Sequence, residues 1–236
     1  MKLNGSKILI TGGSLGIGKA TAKILVESGA EVIITGRDKS RLASAAEETG
    51  SIPFIADVAK SDDILKTYEF IREKWGRLDT LVNNAGIGSQ FTHLTDVTEQ
   101  DFLNVYQVNV IGAAMMAKYA AQMFKEQGNG NIINIASTAA RKGYEKGTVY
   151  ASSKFALRGM TECWQAELRK YNVRVILINP SEVTTAFGNP ERIERNEKSN
   201  RLRSEEIAHT VKASLEMDDR GFIPELTVFA TNPWEE

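Results

Sequence analysis

Thr11-Gly12-Gly13-Ser14-Leu15-Gly16-Ile17-Gly18 is the stretch on which the fold turns. It follows the apolar run 7–10 and leads into a segment, 18–28, around which Ile17, Ala20, Ile24 and Leu25 recur at helical spacing and predict a core-facing helix. Strand, glycine turn, helix is a geometry for holding phosphate. Glycine lets the backbone approach an anion without a Cβ clash, and the first amides of a helix, with its dipole, favour negative charge. The spacing Gly-x-x-x-Gly-x-Gly differs from the G-x-G-x-x-G dinucleotide fingerprint, so taken alone the stretch also fits a purely structural turn.

Outward from this turn the same alternation continues. Short β-branched runs at 7–10, 32–35, 53–56, 80–82, 131–135, 174–178 and 226–229 alternate with amphipathic stretches at 18–28, 41–49, 62–75, 99–127, 150–171 and 204–216. Nearly continuous apolar strands separated by helices predict a seven-stranded parallel sheet covered on both faces. The expected fold is one doubly wound α/β domain over 1–236, with ligands at the carboxyl ends of the strands. In the helix after residue 150, Leu157, Met160, Thr161, Trp164 and Leu168 form a predicted core face. Met115 and Met116 read as packing.

Bulk properties narrow the function classes. A net charge of -1 over 236 residues supplies no long-range field for nucleic acid or anionic lipid, so neither is an expected partner. No stretch has the length of a membrane span, and the first apolar run is too short for a secretory signal, so a cytoplasmic location is expected. The one cysteine, Cys163, cannot pair within the chain; beside Trp164 in a helical pattern it is expected to be an inert core thiol. The histidines, His93 and His209, lie outside any ligand spacing, and no metal site is expected.

Where a site for NAD(H) places a carboxylate for the ribose 2′-hydroxyl, the second strand ends in Thr35-Gly36-Arg37. A guanidinium pairs with a 2′-phosphate, whereas a carboxylate repels it. The expected cofactor is therefore NADP(H) rather than NAD(H), with Ser14 a second possible phosphate ligand. The alternative for Arg37 is an ordinary surface cation.

Further along stand Asn83-Asn84-Ala85-Gly86 after the fourth strand, Asn109 in the long helix, Ser137 after the fifth strand, and Tyr150-Ala151-Ser152-Ser153-Lys154 at the next helix. Together with the glycine turn, in this order and on these elements, they resemble the short-chain dehydrogenase/reductase family over essentially the whole chain. Residues four apart share a helix face, so Tyr150 and Lys154 can point into one cleft. An ordinary phenol, with a pKa of about 10, is only about 0.1% ionised at neutral pH. An ammonium at ~4 Å in an effective dielectric of ~20 is worth a gross ~4 kcal/mol, which would lower that pKa by up to about three units before desolvation opposes it.

The resemblance implies a Rossmann-like fold, hydride transfer between a nicotinamide and a carbonyl or alcohol carbon, and roles for these residues. Tyr150 would be the general acid in reduction and base in oxidation, and Lys154 its electrostatic tuner and a donor to the nicotinamide ribose. Ser137 would hold the substrate oxygen. Asn109 would position a water behind the lysine, unless it is a helix-interior amide satisfied by backbone. For the cofactor the resemblance implies Gly12, Ser14, Gly16, Ile17 and Gly18 at the pyrophosphate and Asp57 and Val58 at the adenine. Asn84, Ala85 and Gly86 would line its path. Pro180, Val183 and Thr185 would lie at the carboxamide, with Ser181 where the family has glycine.

The resemblance also implies a homodimer or homotetramer in which the helix from Glu99 and the helix after Tyr150 pair across a two-fold axis, and Phe155, Leu157 and Trp164 are apolar residues available there. In 187–203 the hydrophobic period fails, which predicts a mobile lid over the substrate. Its cations Arg192, Arg195, Lys198, Arg201 and Arg203 outnumber Glu191, Glu194 and Glu197; they form either a solvated face or an attractor for an acidic acyl carrier. The leading expectation is a general carbonyl reductase acting on a small molecule. The alternatives are a 3-oxoacyl-(acyl-carrier-protein) reductase and, from another class, a non-catalytic dinucleotide-binding redox sensor or scaffold.

Overall fold

The computed structural model describes residues 1–189 and 191–234, so Pro190 of the expected lid and the last two residues of the expected domain lie outside the described residues. The strands β1 (Lys7–Thr11), β2 (Glu31–Gly36), β3 (Ile52–Ile55), β4 (Thr80–Asn83), β5 (Gly130–Ile135), β6 (Val173–Pro180) and β7 (Glu225–Val228) form one sheet in the order β3-β2-β1-β4-β5-β6-β7. Every neighbouring pair is parallel. The chain steps outward from β1 to β2 and β3, then crosses back to lay β4 on the other side of β1. That reversal opens a crevice between the carboxyl ends of β1 and β4, where doubly wound sheets bind ligands.

Alternation along each strand divides the core into two layers. Ile8, Ile10, Val32 and Ile34 point to one face, against α1 (Gly16–Glu27), α2 (Lys39–Thr49) and α7 (Ser204–Glu216). Leu9, Ile33, Leu81 and Ile132 point to the other, against α3 (Ser61–Trp75) and α5 (Ala113–Gln127). Phe124 of α5 is fully buried there, a contribution of roughly 1.5–3 kcal/mol. Asn83 on β4 donates to Asn134 on β5 at 3.0 Å, and Asn134 donates to Thr161 of α6 (Thr148–Leu168) at 2.8 Å. This buried polar ladder fixes α6, and hence Tyr150 in its first turn, against the strand ends.

Several details differ from the sequence reading. The expected helix over 99–127 is α4 (Glu99–Tyr106) and α5 joined by a π-helical segment, Gln107–Gly112, which holds Asn109. Cys163 is exposed, not a core thiol. It sits two residues from the buried Thr161, off the stripe that meets the sheet. On α1 the buried positions are Gly18, Thr21, Ala22 and Leu25, while Ala20 lies at the margin. No helix among the described residues is long and apolar enough to cross a membrane.

Candidate active site

The crevice is built first by its glycines. Gly12 has φ 68°, and a Cβ there would lie 2.9 Å from the Cα of Ala85; a Cβ on Gly18 would lie 2.3 Å from the carbonyl oxygen of Gly12. Only glycine lets β1 turn this tightly into α1. The turn is tied to β4 as well: Asn84 Nδ2 donates to the carbonyls of Thr11 at 2.9 Å and Gly12 at 3.0 Å. Thr11 Oγ1 in turn accepts from the backbone N–H of Asn84 at 3.1 Å and of Ala85 at 3.0 Å. Gly18 is buried beneath this turn and shapes it from below, while Gly12, Ser14, Gly16 and Ile17 face the cleft.

At the N-terminus of α1 the cap residue Leu15 offers no side-chain acceptor. The backbone N–H of Gly16 donates instead to Glu194 Oε1 at 3.3 Å, so a carboxylate from beyond β6 occupies the positive end of the helix. An anion fits where the sequence expects pyrophosphate, with Glu194 as its stand-in.

The second wall carries the expected catalytic groups. Tyr150, Lys154 and Ser137 all face the same cleft, of about 620 Å³. Lys154 is only 4% exposed; its Nζ donates to the carbonyl of Ile135 at 3.1 Å and lies 5.7 Å from the Tyr150 ring centre. Burial pulls its pKa down to about 8. Burial also pushes the Tyr150 phenol up to about 12; a hydrogen bond with Ser137 opposes the shift and the neighbouring Tyr144 adds to it. The phenol is thus raised, contrary to the lowering expected from the lysine. Desolvation dominates, and the ammonium is held to Ile135. At neutral pH this leaves Tyr150 a neutral proton donor.

Asn109 lies behind the lysine rather than in the cleft. Its Oδ1 accepts from the N–H of Ile87 at 2.9 Å, and its Nδ2 donates to the carbonyl of Ile87 at 2.9 Å and to Ser153 Oγ at 3.1 Å. A Cβ on Gly86 would sit 3.4 Å from Asn109 Oδ1 and 3.6 Å from Lys154 Nζ, so these three meet at one point. The amide therefore clamps the chain after β4 to α6.

At the far end, Arg37 extends from the close of β2 with Nη1 3.8 Å from Asp57 Oδ2. Asp57, Val58 and Ser14 face the same space. At the near end, Pro180, Val183 and Thr185 line the cleft with Asn84, Ala85 and Gly86. Val183 bridges to Leu202, holding the chain after β6 in place. Ser181 stands outside the left-handed region, so this turn does not require the family's glycine.

Sequence reasoning did not single out Tyr144 or Arg41 as cleft residues, and it read Phe187 and Arg192 only as part of the segment 187–203. Tyr144 and Phe187 flank the phenol; the ring of Phe187 is 5.7 Å from that of Tyr150. Arg41 enters beside Arg37 because Asp38 caps α2, accepting from the N–H of Arg41 at 2.9 Å. That Asp38 cap was legible as a helix start. Arg192 reaches the same end from the segment after β6.

Comparison with known proteins gives a consistent result. The family pattern described as short chain dehydrogenase matches residues 6–196. A 3-oxoacyl-(acyl-carrier-protein) reductase of Thermotoga maritima is 35% identical over 190 residues, 78% of this chain and 77% of that one. Among solved structures, a metagenomic short-chain oxidoreductase in complex with NADP is 29% identical with a TM-score of 0.85, covering 98% of this chain and 99% of its own. A 3-ketoacyl-(acyl-carrier-protein) reductase from Brucella melitensis, complexed with NADH, is 27% identical with a TM-score of 0.88 over 98% of this chain and 100% of its own.

Proposed function

The chain belongs to the short chain dehydrogenase family, and from that premise we propose that it is an NADP(H)-dependent reductase of ketones or aldehydes with Tyr150 as its proton donor. As a family member it is an oxidoreductase of CH–OH and C=O groups that binds a nicotinamide dinucleotide. The observation that carries the finer reading is the convergence of Ser137, Tyr150 and Lys154 on a cleft floored by an anion-accepting glycine turn.

When bound, the nicotinamide supplies the hydride in reduction and receives it in oxidation. The chain's own residues handle the oxygen. Ser137 and Tyr150, facing the same cleft, offer their hydroxyls to a carbonyl oxygen. As negative charge builds there, Tyr150 transfers its proton, and the nearby Lys154 ammonium stabilises the phenolate left behind. In oxidation the same proton returns. Asn109 acts as a positioning residue through Ile87 and Ser153. Gly12, Gly16, Ile17 and Gly18 form the pyrophosphate seat, and Asp57 and Val58 lie at the adenine. Asn84, Ala85 and Gly86 run beside the dinucleotide, and Pro180, Val183 and Thr185 meet the carboxamide. The segment 187–203 covers the substrate side, led by Phe187 against Tyr150.

The Thermotoga relative is named for an acyl-carrier-protein substrate, but three of the five cations of the segment are already engaged by carboxylates. Arg195 pairs with Glu182 at 3.8 Å, Arg201 with Glu182 at 3.1 Å and Arg203 with Glu206 at 3.0 Å. Such pairs present little net charge to a carrier. The direct test follows NADPH oxidation over small diketones, aldehydes, 3-oxoacyl thioesters and steroid ketones. Turnover is expected with at least one free small-molecule class. Dinucleotide binding without turnover of any class would instead favour a sensor or scaffold.

Two copies are proposed to pair through α4, the π segment and α6, which leave Leu103, Ile111 and Phe155 exposed, the last at 44%. Leu157 is not part of that surface, because at 2% exposure it is already within the protomer's own core. Trp164 likewise packs mostly against its own protomer's core. Light scattering at micromolar concentration should give a dimer or tetramer that Ile111→Arg weakens. A wild-type monomer would rule the pairing out.

A further inference from the structure

We propose, resting on the NADP(H) reading above, that Arg192 is a specificity residue for the adenosine 2′-phosphate, completing with Arg37 and Arg41 a three-arginine site. Its third member arrives from the segment after β6 rather than from the β2–α2 connection.

Position is the first reason. Arg192 lines the cleft with Ser14, Arg37 and Arg41, and its guanidinium lies near enough to Arg37 and Arg41 to feel the charge of both. Saturation is the second. Arg195 is engaged by Glu182 and the carbonyl of Phe187, Arg201 by Glu182 and the carbonyl of Pro233, and Arg203 by Glu206. The Arg192 guanidinium, partly buried, has no hydrogen-bond or ion-pair partner among the described residues.

The backbone is the third reason. Arg192 holds φ 57°, a left-handed conformation uncommon for a residue with a Cβ. It is kept there by a turn in which its N–H donates to the carbonyl of Asn189 at 3.1 Å and Asn189 Oδ1 accepts from the N–H of Glu191 at 2.9 Å. Strained positions that the surroundings enforce cluster at ligand clamps. The same segment lays Glu194 on the Gly16 N–H, so it crosses the seat of the dinucleotide.

Electrostatics agrees with this placement. Burial, then the charges of Arg37 and Arg41, hold the Arg192 guanidinium below its usual value. Two carboxylates moderate the cluster: Asp38 pairs with Arg41 at 2.9 Å, and Asp57 lies 3.8 Å from Arg37. Among the described residues neither carboxylate pairs with Arg192, so a phosphate carrying nearly two negative charges would relieve a repulsion the protein leaves in place.

The test is a set of equilibrium titrations of the full chain with NADPH, NADH, adenosine 2′,5′-bisphosphate and 5′-AMP, for wild type, Arg192→Ala, Arg192→Lys and Arg37→Ala. Losing one charge-assisted contact should make Arg192→Ala weaken NADPH roughly tenfold more than NADH. The preference for the bisphosphate over 5′-AMP should fall by a similar factor, and Arg192→Lys should restore part of it. If Arg37→Ala reduces the NADPH preference while Arg192→Ala leaves it intact, the NADP(H) reading stands and Arg192 has no part in it. Equal loss of NADPH and NADH affinity in Arg192→Ala would overturn the inference too. A wild type that binds NADH as tightly as NADPH would sink the NADP(H) reading, and this inference with it.

Discussion

Replacing Tyr150 by Phe is expected to lower kcat on the order of a thousandfold while the dissociation constant for NADPH moves only a few-fold. General acid catalysis contributes ~10²–10⁴ in rate, and the phenol acts on the substrate oxygen rather than on the cofactor. Phe preserves the ring that packs beside Phe187, so the change removes the proton and little else. Lys154→Ala should damage both quantities, because the ammonium stabilises the phenolate and is proposed to reach the nicotinamide ribose as well. The two variants are separated by steady-state rates and fluorescence titration. The pH profile adds a check whose sign is fixed. Lys154 has its pKa pulled down to about 8 by burial, so the ammonium is present below that value and discharges as pH rises through it. kcat/KM for NADPH, which reports ionisations of the free protein, should therefore fall through about pH 8. Tyr150, pushed up to about 12, stays protonated across this range and leaves no inflection there. A Tyr150→Phe variant that keeps more than about a tenth of the rate would contradict a role of the size assigned to general acids.

The second large effect concerns the choice of nicotinamide. Arg37→Ala should reduce the preference for NADPH over NADH by about tenfold or more, since hydrogen bonds to charged groups are worth roughly 1.5–3 kcal/mol and solvent at the exposed side chain weakens them. Gly36→Asp should go further. A Cβ there meets only the end of the Leu42 side chain at 3.3 Å and Ser14 Oγ at 3.5 Å, so the carboxylate can be accommodated by a small shift of Leu42. It would accept from the 2′-hydroxyl of NADH and repel a phosphate, changing attraction and exclusion together. The measurement is the ratio of kcat/KM for NADPH over NADH in the three proteins. Indifference to both changes would make Arg37 a surface cation.

Much of this architecture was legible because it is written in local spacing. Continuous apolar strand runs, the glycine turn and the four-residue helical spacing depend on neighbours in the chain, so the sheet, the crevice and the pairing of Tyr150 with Lys154 could be read directly. What was not legible depends on environment. The core stripe of α6 could be read from its spacing and Leu157, Thr161 and Leu168 are buried, yet Cys163, which lies off that stripe beside Trp164, was placed in the core and the thiol proved exposed. The raised phenol of Tyr150 reflects burial that no spacing encodes. The π segment at Asn109 arises where that amide bonds to Ile87 and Ser153, contacts made across the fold. Arg192 read as one cation among several in an aperiodic stretch; only the return of that stretch across α1, with Glu194 on Gly16, brings it near Arg37. Ser181 is the reverse case: a departure from the family pattern that the backbone accommodates outside the left-handed region.

The most direct test of the central claim is to supply NADPH carrying deuterium at both C4 positions of the nicotinamide with a turned-over carbonyl substrate, and to locate the label in the product by mass spectrometry. Hydride transfer assisted by Tyr150 places one deuterium on the former carbonyl carbon in wild type, with essentially no labelled product from Tyr150→Phe in the same time. Reduced product without that deuterium, or labelled product formed as fast by Tyr150→Phe as by wild type, would contradict the account.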